Sequence, residues 1–324
     1  MFRTVFLGCS EASRTASDLD RKIAGCLMED GRMSGRDIAQ RIGVSEATVS
    51  RRLAALEHEK LLVVRGFIQP ESIGCSSTSI ARFRVDGDAR QSASALASVR
   101  GFHRVAQIDG GQEVTALLVA PSKESAQRSI HNALASIATI RLERVSEILR
   151  LVPPGCAIPA TTPTRHARVP RQADIQTKIL EAVQPNMRRS LNQVSDAIQA
   201  SPSATRSNLD DLIATGVITS VVFTNPHFMG TPIFTQLRVR LRDRFGESLK
   251  VFRDLLPDAW IFECLDGEGL IAECAFATSA AAEQKSLEIQ GALDGAEVST
   301  HLLLEIHSDL LDWWCDAPCK ATGV

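Results

Sequence analysis

The apolar positions near the start of the chain recur at helical spacing. Leu19, Ile23 and Leu27 form one stripe, which predicts an amphipathic helix that ends at Gly31. Ser34 follows, with a carboxylate three residues further on, and this pattern is typical of the first turn of a second helix.

Two further helices complete this pattern. Ile38 and Ile42 fall on the second, short helix, which stops at Gly43, and Ser45 is placed to cap a third helix. The third helix has apolar residues at Val49, Leu53 and Leu56. A short helix, a glycine turn and a capped helix form the signature of a helix-turn-helix.

The periodicity then changes from helical to alternating. Residues 61–68 form a short β-prone segment that is followed by Gln69 and Pro70, so we interpret it as a wing and hinge. Beyond them the pattern predicts strands at about 78–86, 102–108, 112–120 and 140–151, with helices at about 90–99 and 122–137. This βαββαβ order is the ferredoxin-like arrangement.

The whole pattern occurs twice. Residues 19–84 return at an offset of 156 as residues 175–240, with 13 identities in 66 positions and with apolar positions matching apolar positions. After that, Ile108 and Leu265 align only if the register slips by one residue. Between the copies, five prolines in residues 151–171 predict an extended linker.

The predicted organisation is therefore α+β: two winged helix-turn-helix domains, each followed by a βαββαβ ferredoxin-like sensor domain, arranged as an intramolecular pseudo-dimer. The predicted boundaries are a flexible tail at 1–17, helix-turn-helix 1 at 18–70, sensor 1 at 71–152, linker at 153–171, helix-turn-helix 2 at 172–226, sensor 2 at 227–310 and tail at 311–324.

Several segments of the first unit resemble one known family. The segments are 19–23 (LDRKI), 29–32 (EDGR), 38–39 (IA), 43–45 (GVS), 51–53 (RRL) and 56–57 (LE). In order and spacing they resemble the leucine-responsive regulator (Lrp/AsnC) family, and the second copy is a looser match. The resemblance implies double-stranded DNA as partner, a small effector, often an amino acid, and assembly into homo-oligomers.

Composition and charge add limits. The formal net charge is −2, but residues 227–324 carry −8 and the three preceding segments +2 each, so any attraction to phosphate is local to residues 1–226. No apolar run approaches the roughly 18 residues that span a bilayer. None of the eight cysteines forms a CxxC pair. We therefore expect a cytoplasmic protein without membrane contact, metal or cofactor.

The third helix is the candidate reading helix, because its outward side chains can bond bases or phosphates. An ordinary solvated helical face is the alternative. The candidate DNA-binding residues of the first unit are Ser45, Glu46, Thr48, Ser50, Arg51 and Arg52, with Arg36, Arg41 and Arg65 as phosphate contacts.

The second copy offers a poorer reading helix. Its candidate DNA-binding residues are Ser203, Arg206, Ser207, Arg188 and Arg189. Asp210 and Asp211 follow and repel phosphate if they face it. We therefore expect inequivalent heads and an asymmetric operator, since operator symmetry mirrors protein symmetry.

The turns between the middle strands of the sensor domains are the candidate effector sites, because the resemblance places the family's effector near them. A tight hairpin turn is the alternative interpretation. The family usually has a tyrosine soon after this glycine, and the chain contains none. The candidate effector residues are Asp109, Gly110, Gly111, Gln112, Asp266, Gly267, Glu268 and Gly269.

The predicted function is a sequence-specific DNA-binding transcription regulator that responds to a small effector and is not an enzyme. Two alternatives stay open. Siroheme decarboxylases share this architecture, but they typically have an arginine-rich, histidine-containing stretch after the wing, where residues 65–74 hold one arginine and no histidine. The other alternative is a sensor or assembly protein with decayed DNA-binding heads.

Overall fold

The computed structural model describes residues 14–108, 110–156, 175–241, 245–266 and 269–307. Most of the predicted N-terminal tail and linker, and the whole predicted C-terminal tail, lie outside the described residues. None of the helices in the described ranges is long and apolar enough to cross a membrane.

The first unit has five helices and five strands. They are α1 (Asp18–Glu29), α2 (Gly35–Ile42), α3 (Glu46–His58), β1 (Leu62–Ile68), β2 (Ser77–Val85), α4 (Ala89–Leu96), β3 (Phe102–Ile108), β4 (Glu113–Ala120), α5 (Lys123–Ser136) and β5 (Ile140–Val152). A short 3-10 helix, Pro70–Ile73, links β1 to β2.

The second unit repeats this order. Its elements are α6 (Ile175–Val183), α7 (Leu191–Ile198), α8 (Pro202–Ala214), β6 (Ile218–Thr224), the short α9 (Pro226–Met229), β7 (Ile233–Arg240), α10 (Phe245–Leu255), β8 (Trp260–Cys264), β9 (Leu270–Phe276), α11 (Ser279–Ala292) and β10 (Glu297–Ile306).

The predicted helix caps are confirmed. The side chains of Ser34 and Ser45 accept hydrogen bonds from the third amide of α2 and α3, and Gly43 ends α2 with a left-handed φ of 73°. Ser190 caps α7 in the same way. There Gln199 occupies the position equivalent to Gly43 and is also left-handed, with a φ of 55°. This conformation costs glutamine more free energy than it costs glycine.

The predicted wing is not a separate hairpin. Strand β1 pairs antiparallel with β6 of the second unit, from Leu62 opposite Thr224 to Ile68 opposite Ile218. We call this two-stranded sheet the bridge sheet. The two helix-turn-helix domains therefore share one sheet, and each domain satisfies backbone groups of the other.

The eight remaining strands close into one barrel, with the order β10-β3-β4-β2-β5-β8-β9-β7. Each half, β3-β4-β2-β5 and β8-β9-β7-β10, has the strand order expected for a ferredoxin-like domain. The long strands β5 and β10 join the halves, because each pairs with its own sheet and then with the other, β5 with β8 and β10 with β3.

The predicted one-residue slip between the copies is wrong. Phe83 pairs with Val114 in the first half, and Val239 pairs with Leu270 in the second, so both strands keep an offset of 156. Helices α5 and α11 keep it too. Residues 156 apart therefore occupy equivalent positions throughout, and we compare the units on that basis.

One continuous apolar core joins the heads to the barrel. Trp260 of β8 is fully buried, with its ring centroid 5.5 Å from that of Phe67 and 6.2 Å from that of Phe223. Phe67 and Phe223 belong to the two strands of the bridge sheet. Because these side chains are closely packed, a movement of the barrel at Trp260 displaces the bridge sheet as well.

Candidate nucleic-acid interface and effector turns

The first head, helices α1 to α3, presents an exposed face on its third helix. Glu46, Ser50 and Arg51 are all exposed on α3, as predicted for reading residues. Ser45 and Thr48 have another task, because their hydroxyls lie 2.8 Å apart and Ser45 caps the Thr48 amide. They stabilise the first turn of α3 and thereby help to position the exposed residues of this helix.

Arg52 does not serve as a free base contact. Its Nη2 donates to Asp20 Oδ2 at 2.7 Å, and its Nε also bonds the same carboxylate, which has no exposed side-chain surface. Burial opposes the charge of Asp20, but hydrogen bonds from Arg52 and Ser17 outweigh it and lower the pKa of the carboxyl to about 2. Arg52 therefore ties α3 to α1.

Two of the three arginines predicted to contact phosphate also make contacts within the protein. Arg41 pairs with Glu29, with Nη2 2.8 Å from Oε1. Arg65 is buried in the bridge sheet, with its guanidinium 5.8 Å from the ring centroid of Phe223, which corrects the prediction that it reaches phosphate from a wing. Arg36 is exposed at the start of α2.

The second head, helices α6 to α8, leaves Ser203, Arg206 and Ser207 exposed on α8. Arg188 is half-buried against the first head, where its Nη1 donates to the carbonyls of Gly31 and Met33 at 3.1 and 2.9 Å. Arg188 is therefore a link between the heads, and its predicted role as a DNA contact is corrected.

Three further charged residues of the second head are engaged in contacts within the protein. Arg189 Nη1 donates to the carbonyl of Ala182 at 2.9 Å. Asp211 accepts a hydrogen bond from Gln176 at 3.2 Å, and Asp210 interacts electrostatically with Arg32 of the first head. These contacts reduce the number of predicted DNA-binding residues that remain free.

The two reading faces differ at equivalent positions. Ser50 and Arg51 of α3 correspond to Arg206 and Ser207 of α8, so the arginine moves by one residue, or about 100° around the helix. Arg36 corresponds to Asn192. Residues 34–60 carry a formal charge of +1, and the equivalent residues 190–216 carry −2.

The candidate effector turns lie at the ends of the barrel strands. Asp109, Gly267 and Glu268 fall outside the described residues. In the first turn Gly110 and Gln112 are exposed and Gly111 is half-buried, and both glycines have positive φ, 81° and 66°. This conformation is what a tight turn needs, whether or not a ligand binds.

The second turn packs against the first unit. Asp266 accepts a hydrogen bond from Ser146 of β5 at 2.9 Å and lies 3.7 Å from Arg144. A Cβ at Gly269 would lie 2.6 Å from the carbonyl oxygen of Val239, so only glycine fits. These contacts hold the turn on the seam between the halves.

Sequence reasoning missed the residues that join the two units. Arg32 and Arg188 bond across the heads, and Arg104 of β3 pairs inside the barrel with Glu273 of β9, at 2.8 Å. Arg32 and Arg188 are the same residue type at equivalent positions, which is the one signal in the sequence that points to a shared role.

Comparison with known proteins places the first head. A model of the AsnC-type helix-turn-helix domain matches residues 17–57. Residues 17–57, which include the three helices of the first head except the last residue of α3, are therefore an AsnC-type helix-turn-helix domain. The chain is 29% identical to an HTH-type transcriptional regulator of Pyrococcus furiosus and 28% identical to one of Pyrococcus abyssi. Each match spans 146 residues, 42% of this chain and 97% or 98% of the relative.

A solved structure is similar over both units. The siroheme decarboxylase NirDL, in complex with an iron-uroporphyrin III analogue, matches 90% of this chain and 93% of its own, with a TM-score of 0.56 and 13% identity. At this identity the likeness shows the fold alone. The arrangement of two heads and two sensor halves therefore occurs in another protein of known structure.

Proposed function

We propose that this chain is a transcription regulator that binds DNA as a built-in asymmetric pseudo-dimer and reads an operator with two unlike half-sites. The observation that carries the proposal is the bridge sheet, which holds two heads with different exposed faces in one body. The AsnC-type domain at residues 17–57 supports a function as a transcription regulator.

The proposed contacts are the predicted residues that the structure leaves exposed. In the first head they are Arg36, Glu46, Ser50 and Arg51, and in the second head Ser203, Arg206 and Ser207. Arginine on a reading helix can bond guanine bidentately, whereas serine bonds bases or phosphates without strong preference. Each head therefore offers one arginine on its reading helix, Arg51 or Arg206, and the two lie at positions that are not equivalent.

Genome-wide binding-site mapping followed by footprinting tests this proposal. We expect two unequal half-sites, and we expect Arg51→Ala to weaken specific binding by about 1–3 kcal/mol and relax one half-site. Arg128→Ala, on the exposed face of α5, is the matched control and leaves occupancy unchanged. Identical inverted half-sites, or occupancy unaffected by Arg51→Ala, contradict the proposal.

We also propose that the sensor halves bind a small effector such as an amino acid and that the chain assembles into homo-oligomers. The position of Asp266 on the seam between the halves supports a coupling between the turn and their pairing. A thermal-shift screen against amino acids, with Asp266→Asn as the comparison, tests the first part. Sedimentation with and without the bound amino acid tests the second.

A siroheme decarboxylase is the second candidate, favoured by the shared fold. Residues 65–74 and the equivalent residues 221–230 argue for the regulator. Arg65, in strand β1, is buried against Phe223, and the second segment holds one histidine, His227, and no arginine. Incubation with siroheme separates the two functions. Loss of carboxylate groups from siroheme, followed by its absorption spectrum, identifies an enzyme.

A further inference from the structure

A cavity of about 600 Å³ lies where the first head meets the second sensor half. Its walls come from the end of α1, from residues 154–156 after β5, from β6, α9 and the start of β7, from the segment between α10 and β8, and from β9 and α11. Its volume falls within the range of small-molecule sites, roughly 300–1,000 Å³. Unlike the effector turns, this site touches a DNA-binding head directly.

Somewhat more than half of the cavity lining is apolar. Its apolar lining includes Met28, Val222, Met229, Phe234, Leu256 and Phe276. Phe234 is almost fully buried, and Met28, Met229 and Phe276 are partly buried. Methionine side chains adapt to irregular shapes and contact aromatic rings favourably, so this lining suits a flat apolar group.

Carboxylates outnumber ammonium groups on the polar part of the lining. The lining includes three carboxylates, of Glu29, Asp258 and Glu273, and one ammonium group, of Lys285. Lys285 is held by Glu288, with Nζ 2.6 Å from Oε2, and Glu273 is held by Arg104. Glu29 and the exposed Asp258 stand at the rim, so the rim favours a positively charged group on the ligand.

This chemistry is confined to one side of the molecule. The positions equivalent to Glu29, Asp258 and Glu273 hold Pro185, Phe102 and Leu117. On that side Gly66 takes the place of Val222, and its amide donates to the carbonyl of Gln184 at 2.8 Å, which brings the two backbones together. The acidic and apolar lining of the cavity is therefore not repeated at the equivalent positions of the chain.

We propose that this cavity is an effector site for arylalkyl amines, with the aromatic body in the apolar part and the ammonium at the Glu29 and Asp258 rim. Glu29 also pairs with Arg41 on α2, so an ammonium competes for a carboxylate that orients the helix before the reading helix. The effector role rests on the proposed function, whereas amine binding stands without it.

Binding to the full-length protein is tested first, by isothermal titration without DNA. The probes are two matched pairs, 2-phenylethylamine with 3-phenylpropionate and tryptamine with indole-3-propionate. We expect both amines to bind and both acids to bind at least fivefold more weakly. No binding by either amine, or equal binding of amines and acids, overturns the proposal.

Variants then place the site. Asp258→Asn should weaken amine binding about two- to fivefold, as expected for one partly exposed charge pair, while Asp254→Asn, also exposed but outside the lining, leaves it unchanged. Thr231→Trp should fill the cavity and abolish binding, and Thr215→Trp, on exposed surface of the second head, is its control. Equal effects of variant and control overturn the assignment.

A DNA-binding titration with and without tryptamine completes the test. A change in operator affinity that Asp258→Asn diminishes supports the effector role. If tryptamine binds and the protein binds its operator with unchanged affinity, the effector role fails while amine binding stands. If the protein binds no operator at all, the proposed function fails, and the titration without DNA still decides the cavity.

Discussion

Arg32 and Arg188 occupy equivalent positions in the two units and bond reciprocally across the heads. Arg32 Nη1 donates to the carbonyl of Met187 at 2.7 Å, and Arg188 Nη1 donates to the carbonyls of Gly31 and Met33. Burial lowers the pKa of both guanidinium groups, but arginine stays charged at any physiological pH. The two heads are therefore clamped by a repeated contact.

Breaking this clamp should loosen the heads. Because a hydrogen bond from a charged group contributes about 1.5–3 kcal/mol, we expect Arg32→Ala and Arg188→Ala each to lower the free energy of unfolding by roughly that amount. Urea unfolding measures it. Arg128→Ala should stay within about 0.5 kcal/mol of the unmodified protein, and an equally small effect of the clamp variants contradicts this account.

Gly66 is a second point where the heads touch. A Cβ there would lie 2.5 Å from Ile218 Cδ1 and 3.1 Å from the Cα of Gln184, so the Ile218 side chain must move and the backbone at Gln184 must give slightly. We expect Gly66→Ala to destabilise the protein by about 1–3 kcal/mol, as overpacking usually does. A thermal melt measures the change.

Gly25 provides the control for that substitution. It lies in the middle of α1 with nothing within 4 Å of an added Cβ, so Gly25→Ala should stabilise the protein by about 0.5–1 kcal/mol. Opposite signs for the two substitutions are the result that identifies close packing at Gly66. A neutral Gly66→Ala would show that the bridge sheet adjusts.

Some features of the fold and of the candidate site can be predicted from the sequence, and others cannot. The caps at Ser34 and Ser45, the succession of strands and helices along the chain and the exposure of Arg51 follow from local patterns, because capping and periodicity depend on neighbours in the chain. The buried roles of Arg65 and Arg188 depend on residues more than 100 positions away, Phe223 and the carbonyl of Gly31. No local pattern distinguishes such an arginine from an exposed one.

The pair of Asp20 and Arg52 makes the first head sensitive to acid. The pKa of Asp20 is lowered from 3.8 to about 2 on folding, so its contribution is fully present above pH 4–5 and is lost as the pH falls towards 2. A shift of this size corresponds to a contribution on the order of 2 kcal/mol. Urea unfolding between pH 7 and pH 2.5 measures it.

The variant Asp20→Asn tests the assignment of that acid sensitivity. We expect it to be less stable at pH 7 and to lose less stability on acidification than the unmodified protein does. Asp18→Asn removes an exposed carboxylate that pairs with Lys22 on the same helix and should leave the pH profile nearly unchanged. Parallel profiles for Asp20→Asn and the unmodified protein would locate the acid-sensitive group elsewhere.

Arg104 and Glu273 form a buried ion pair inside the barrel, with both side chains less than 5% exposed. The equivalent residues are Trp260 and Leu117, so the same position is ionic in one half and apolar in the other. Removing one partner leaves an uncompensated buried charge, and we expect Glu273→Leu to cost about 3–5 kcal/mol. The double variant Arg104→Leu/Glu273→Leu should be more stable than Glu273→Leu alone, because it removes that charge. A double-mutant cycle by urea unfolding measures the coupling, and additive single effects would show that the pair does not hold the halves together.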